Sequence, residues 1–476
     1  MTQMHRSQVV ADLAIVGAGS AAFSAAIRAS GLGAKVVLIE QGVIGGTCVN
    51  VGCVPSKALI VAAETRHRAM TQPFPGISTQ AGPVVMDALV AGKRALVDDL
   101  RTAKYEDLAR AYGFTILNGQ ARFVAGGALV VSGAPEREVV ATNMVIATGA
   151  TPKIPPIPGL DTVEYLTSAT AMDLAAVPER LLVLGGGAIG LEYAQLFAHL
   201  GAAVTLIEVR DRIVATEEPE ISTALVQVLA DQGVEVVTAA TIGKVSRFQG
   251  SIRVEIKEAT MARHFEGDAL LVATGREPNT AGLGLTHVGV EVGSDGEVVV
   301  DEFLQTSNQR IYAAGDVTGA PQFVYVAGLH GSIVADNALT GAKRRVDYRT
   351  LPRVTFTTPS IASVGLTQER ATAAGYRCES RTLDLAVVPR AIVNRDEDGI
   401  IKIVADGDTG RVLGIHLLAD GASEVILAGV YALEANFSVD QLATVWAPYL
   451  TMSEALRLGG MSFTQDIDSL SCCASS

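Results

Sequence analysis

Asp12-Leu-Ala-Ile-Val16 runs straight into Gly17-Ala-Gly19-Ser-Ala-Ala22, then a helical stretch to Ser30, then Lys35-Val-Val-Leu-Ile-Glu40. This order predicts a buried strand, a glycine turn opening a helix, and a second strand ending in an acid. It returns at Arg180-Leu-Leu-Val-Leu184, Gly185-Gly-Gly187-Ala-Ile-Gly190, a helix to Leu200, and Ala203-Val-Thr-Leu-Ile-Glu208. First glycine and acid keep one spacing in both copies, 17 to 40 and 185 to 208. A lone glycine triplet says little, but two in the same strand–turn–helix–strand setting predict two Rossmann-like dinucleotide-binding units. The glycines let the backbone approach a pyrophosphate, the helix N-terminus favours its charge, and the acid can bond ribose hydroxyls.

Each unit is closed by an Ala-Thr-Gly turn, Ala147-Thr148-Gly149 and Ala273-Thr274-Gly275. The first copy is the longer, and its extra residues include two cysteines. Thr151-Pro-Lys-Ile-Pro-Pro-Ile-Pro158 reads as a connector between the units. After Ala342-Lys-Arg-Arg345 the pattern changes to strand-like runs, Ile400 to Val404 and Val412 to Leu417, then a helix from Ala422 to Leu433. An α+β region at the C-terminus is expected.

Composition agrees. The 476 residues are 49% hydrophobic and 18% charged, too apolar for a disordered chain and long enough for about three domains. With 48 glycines and 5% aromatics, tight-turned parallel α/β sheets fit better than base-stacking platforms. The net charge of −13 argues against nucleic acid as a partner. No membrane span is expected, because uncharged stretches such as Val317 to Ala335 carry Pro, Gly, Gln and His. The apolar run from Val9 to Val16 lacks a cleavage site and leads into a glycine loop, so it reads as a strand rather than a signal peptide. Five cysteines make no extracellular disulfide framework, and a reducing cytoplasm is the expected location.

Gly45-Gly46-Thr47-Cys48-Val-Asn-Val-Gly-Cys53-Val-Pro-Ser-Lys57 carries the chemistry. Two cysteines with four residues between them, entering a helix from a glycine turn, can face each other across about one turn. A helix N-terminus favours a thiolate there. With glycines around them and Lys57 behind, a redox pair is the better reading than two structural cysteines.

These residues resemble those of the flavin-dependent pyridine nucleotide–disulfide oxidoreductases, and the resemblance covers essentially the whole chain. Ile311-Tyr-Ala-Ala-Gly-Asp316 is similar to the family's second flavin motif, whose Asp holds the ribityl chain. The resemblance implies an α/β fold with two Rossmann-like dinucleotide-binding domains plus a C-terminal α+β dimerisation domain. Its implied bounds are 1–150 with 280–342 for FAD, 151–279 for NADPH or NADH, and 343–476 for a homodimer interface. It implies FAD contacts from Gly17, Gly19, Ala22, Glu40, Gly46, Thr47, Lys57, Thr148, Gly149 and Asp316. It implies NAD(P)H contacts from Gly185, Gly187, Gly190, Glu208, Arg210 and Gly275. Cys53 would be the thiol nearer the flavin and Cys48 the one facing substrate, with Glu192 pairing Lys57. Gly414-Ile-His416 through Glu424 resembles the interface region, and His416 is read as structural. Glu208 suits a free ribose, whereas Arg210 and Arg212 could accept a 2′-phosphate.

Two C-terminal features narrow the branch. Disulfide-reducing members carry His-Pro-Thr-x-Ser-Glu, whose His protonates the released thiolate. Here Tyr449-Leu-Thr451-Met-Ser453-Glu454 keeps Thr, Ser and Glu but has Tyr for His. An unperturbed Tyr is protonated near neutral pH and shuttles protons poorly. The chain ends near Cys472-Cys473, whose Cα atoms would be about 3.8 Å apart, below the usual disulfide range of about 4.4–6.8 Å. Two such thiolates can still grip one soft cation. Together these resemble the branch of the family that reduces Hg(II), which implies Cys48, Cys53, Cys472 and Cys473 as metal ligands. A thioredoxin-reductase-like disulfide reductase with a Cys-Cys tail would be expected to keep His at 449. A non-catalytic metal-binding flavoprotein would not need two intact nucleotide patterns.

Overall fold

The computed structural model describes residues 7–133, 135–257 and 263–469. They form two compact units. One gathers the residues up to Ala58, 88–153 and 275–346; the other gathers 59–87, 154–274 and the chain from Asp347 on.

The first unit is built on a seven-stranded sheet. Its central strand, Ser7–Val16, pairs in parallel with Val36–Glu40 on one side and Arg137–Ile146 on the other. Thr115–Asn118 extends the first edge, and Ile311–Ala313 joins Arg137–Ile146, also in parallel. Leu13 to Val16 and Val36 to Ile39 are all buried, as a parallel sheet covered on both faces requires. The chain that leaves after Lys153 returns at Gly275 through a short antiparallel ribbon, Ala150–Pro152 against Arg276–Pro278. The proline-rich connector therefore begins inside a paired ribbon that the sequence did not suggest.

Helix Ser20–Gly31 packs on helix Val324–Thr340. The contact is close because small residues line it: Ala21, Ala22, Ala25, Ala26 and Ala29 are buried. A β-carbon at Gly331 would lie 2.2 Å from the Ala21 carbonyl oxygen. Ser24 donates to the Gly328 carbonyl at 2.6 Å, and Arg28 pairs with Asp336 at 2.5 Å.

The second unit holds a parallel sheet in the order Val234–Val237, Ala203–Ile207, Arg180–Leu184, Ala269–Val272. A three-stranded antiparallel meander precedes its last strand. Beyond Asp347 comes a five-stranded antiparallel sheet, with Ser360–Gly365, Val412–Ala419 and Ile400–Asp406 at its centre. Helices Ala422–Glu434 and Glu454–Met461 contact this sheet.

One set of contacts in this unit is ionic and buried. Lys402 Nζ lies 2.9 Å from Glu218 and 2.8 Å from Glu220, at the start of helix Pro219–Asp231. Arg353 and Ser363 donate to Glu217 at 2.9 and 2.5 Å. Burial opposes charge on Glu217, but the nearby His416, 3.9 Å away, and the bonds from Arg353 and Ser363 outweigh it and hold the carboxyl at about 2. His416 is fully buried in strand Val412–Ala419, 3.0 Å from the Leu366 carbonyl, which agrees with its structural reading.

By length and composition alone, the helical stretch Gly46–Thr71 is long and apolar enough to cross a membrane. It is also the stretch that carries the two cysteines.

Candidate active site

The first glycine loop is shaped by backbone approach. Gly17 has φ +113°, and a β-carbon there would lie 2.3 Å from the Ala147 carbonyl oxygen. Gly46 has φ +64°, and its β-carbon would lie 2.6 Å from Gly19 Cα. The cysteine segment thus rests directly on the glycine loop, and any side chain at 17 or 46 would part them. Gly19 caps helix Ser20–Gly31 without a side chain, leaving the first amides of that helix to a ligand. Ala22 is fully buried behind it, and Glu40 accepts from the Gly42 amide at 2.8 Å. The Ala147-Thr148-Gly149 turn is stapled by Asn279: Thr148 donates to the Asn279 carbonyl, and the Asn279 amide returns a bond to Thr148. Asp316 sits in the turn Gly315–Thr318, where burial raises its carboxyl pKa and Arg276, 3.9 Å away, pulls it down. Cradle, acid and turn belong to one unit and fit a dinucleotide such as FAD.

The sequence suggested one helix through both cysteines, whereas the structure has two. Cys48 lies in Gly46–Val51, and Cys53 opens Cys53–Thr71. Gly52 forms the break, with φ −132° and ψ −116°. A β-carbon there would lie 2.9 Å from the Thr47 carbonyl oxygen. The break folds Cys53 back onto Cys48, so the two thiols, not joined as a disulfide here, hydrogen-bond each other. That bond raises the Cys48 pKa most, followed by burial and the charge of Cys53, while the charge of Lys57 opposes them. Cys53 is exposed and Cys48 partly buried. Asn50, between them, donates to the Ile44 and Gly46 carbonyls at 2.9 Å and accepts from Arg101 at 3.2 Å. Sequence reasoning missed this brace; Asn50 was visible inside the motif, but Arg101 lies on another helix.

The second glycine loop repeats the first. A β-carbon at Gly185 would lie 2.5 Å from the Ala273 carbonyl oxygen, and one at Gly190 would lie 1.9 Å from that of Gly185. Gly187 caps helix Ala188–Leu200, and Gly275 has φ +120°. Glu208 is buried, and both its oxygens accept backbone amides, from Gly186 at 2.5 Å and Arg210 at 2.8 Å. The Arg210 side chain is exposed. Glu192, buried in the same helix, accepts from the Phe356 amide at 3.0 Å. It belongs to the second unit, Lys57 to the first.

Tyr449 is half exposed, so it is no core aromatic. Glu454 is buried, and its Oε2 finds no hydrogen-bond partner among the described residues. Three residues before Tyr449, the sole tryptophan of the chain, Trp446, is 99% exposed. Cys472 and Cys473 lie outside the described residues. Among the described residues no group of three or more His, Cys, Asp or Glu is gathered to hold a metal.

The family profile of the pyridine nucleotide-disulphide oxidoreductases matches residues 11–331, and that of their dimerisation domain matches 351–458. A mercuric reductase of Streptomyces lividans is 52% identical over 477 aligned positions, covering 100% of both chains. Mercuric reductases of Lysinibacillus sphaericus and Shigella flexneri are 46% and 42% identical, over 97% of this chain and 84% and 82% of theirs. Among solved structures, the Cu(II) complex of the HOCl-induced flavoprotein disulfide reductase RclA from Escherichia coli superposes with a TM-score of 0.85. It is 32% identical, over 97% of this chain and 100% of that one. LpdA from Mycobacterium tuberculosis gives 0.83 at 28% identity, over 96% and 100%.

Proposed function

The chain belongs to the pyridine nucleotide–disulphide oxidoreductase family, as a flavin-dependent NAD(P)H oxidoreductase of its mercuric reductase branch, and on that premise we propose that it reduces thiol-bound Hg(II) to elemental mercury. The supporting observation is the Cys48–Cys53 thiol pair, brought into hydrogen-bond contact by the Gly52 break on the unit that carries the first glycine loop. Hg(II) is soft, prefers two thiolates and accepts two electrons. The balance is Hg(II) plus NAD(P)H giving Hg(0), NAD(P)+ and a proton. Bound FAD and NAD(P)H supply the two-electron transfer.

The residues divide the remaining work. Gly17, Gly19, Ala22, Glu40, Gly46, Thr47, Lys57, Thr148, Gly149 and Asp316 would hold FAD. Gly185, Gly187, Gly190, Glu208, Arg210 and Gly275 would hold NAD(P)H. Cys53, at a helix N-terminus, is the anionic thiol, and Cys48 keeps its proton until Hg(II) displaces it from Sγ. Lys57, with Glu192 as its proposed counter-charge, favours that loss. Tyr449 and Glu454 stand where relatives have an acid–base pair. With Tyr in place of His the pair is a poor shuttle for protonating a leaving thiolate, which suits a metal ion better than a disulfide. Cys472 and Cys473 would pass Hg(II) to Cys48 and Cys53 of the second subunit of a cytoplasmic homodimer. We assign 1–150 with 280–342 to FAD, 151–279 to NAD(P)H and 343–476 to dimerisation.

The test is NADPH and NADH oxidation with Hg(II) in excess thiol, followed together with release of mercury vapour. The reading requires both signals, and their loss in Cys48→Ala/Cys53→Ala. Oxidation driven by a disulfide and indifferent to Hg(II) would overturn it.

A further inference from the structure

Helix Val324–Thr340 carries His330, whose side chain is completely buried. Its Nδ1 accepts the backbone N–H of Gly315 at 3.2 Å. Burial pushes the imidazole down to about 4, so at neutral pH the ring is uncharged and Nδ1 has a lone pair to offer.

That amide is in a particular place. Gly315 has φ +78°, and it opens the turn Gly315–Thr318 one residue before Asp316. Within the turn Thr318 donates to the Gly315 carbonyl at 2.8 Å, and from outside Val298 donates to the Val317 carbonyl at 2.9 Å. His330 supplies the outside hold at the turn's first amide. The same helix is seated, through Gly331, on the helix that opens at the first glycine loop. Position 330 therefore ties the Asp316 turn to the scaffold that carries Gly17 and Gly19.

We propose that His330 is a positioning residue for FAD, fixing the Asp316 turn through the Gly315 amide. It touches no reacting atom. The proposal rests on flavin binding and is independent of which oxidant the enzyme reduces.

Three variants isolate the acceptor. His330→Ala removes it, His330→Leu removes it while keeping apolar volume, and His330→Asn restores an acceptor, Oδ1, close to where Nδ1 stood. The amide left unpaired no longer fixes the turn, so His330→Ala and His330→Leu should bind FAD roughly tenfold more weakly, about 1.4 kcal/mol. His330→Asn should stay within about threefold of the parent. Titration of apoprotein with FAD gives the dissociation constants, and the flavin midpoint potential gives a readout that looser packing alone does not move in parallel. Parent-like FAD affinity in folded His330→Leu overturns the proposal. So does a folded His330→Asn that binds as weakly as His330→Leu. Should the variants fail to fold, hydrogen exchange in the unaltered apoprotein decides. Protection of the Gly315 amide supports the proposal, and exchange at the rate of an exposed amide overturns it.

Discussion

Replacing Lys402 by methionine would leave the Glu218 carboxylate buried without its cation. The two side chains are each 2% exposed and lie 2.9 Å apart, whereas Glu220, the second partner, is 43% exposed. Glu220 can turn to water, so its share of the loss is about 0–1 kcal/mol. Glu218 cannot; its Oε1 keeps the bond from the Gln368 amide, while Oε2 loses the lysine. Breaking a buried pair from one side costs about 3–5 kcal/mol. At about 2–4 °C per kcal/mol for units of this size, Lys402→Met should melt roughly 10 °C below the parent. The assay is calorimetry of the FAD-loaded proteins at one scan rate, with Lys402→Met/Glu218→Gln beside them. The double variant removes the stranded charge and should recover more than half of the loss. A single variant melting within about 2 °C of the parent refutes the reasoning, as does a double variant no better than the single.

Other outcomes follow from the same geometry. His199 and His330 are both held down to about 4, chiefly by burial, from the usual 6.5. The unfolded chain therefore binds more protons between those values, so stability falls as pH drops from 6.5 to 4; His199→Gln should flatten that loss in urea midpoints taken across the window. Glu217 adds stability that is present above about 4.5 and lost as pH falls toward 2. Two-electron reduction should give a long-wavelength absorbance that Cys53→Ser abolishes and Cys48→Ser keeps; the reverse pattern would exchange the two roles. Both coenzymes should support turnover, because Glu208 disfavours a 2′-phosphate while Arg210 welcomes one; a kcat/KM ratio above about a thousandfold would contradict this. A mixed dimer joining Cys472→Ala/Cys473→Ala to Cys48→Ala/Cys53→Ala should keep about half the mercury turnover if the tail serves the partner. An inactive mixed dimer that holds FAD would rule that route out.

Much of this was legible in the sequence because it is local. Strand Arg180–Leu184 has the bounds its apolar run suggested, and both glycine loops have the positive φ and close backbone contacts that glycine implies. The Cys48–Cys53 contact was legible too, though its cause, the Gly52 break, was not. A five-position spacing fits one helical turn as readily as two helices. What stayed hidden depends on partners far along the chain. Arg101 reaches Asn50, His330 reaches Gly315, and Lys402 reaches Glu218, across separations that no periodicity encodes. At short range, the two backbone amides that the Glu208 oxygens hold were likewise not legible from an acid ending a strand.

Trp446 gives the protein a built-in optical label. It is the single indole in 476 residues, it is almost wholly in water in the lone subunit, and it lies within the segment matched by the dimerisation profile. Tryptophan emission from this chain therefore comes from one address, uncontaminated by core signals. Unfolding of an isolated subunit would leave its colour nearly unchanged, while association that covers the ring would shift it to the blue. Subunit exchange and dilution into monomers could be followed on the unmodified protein, with no dye and no added residue.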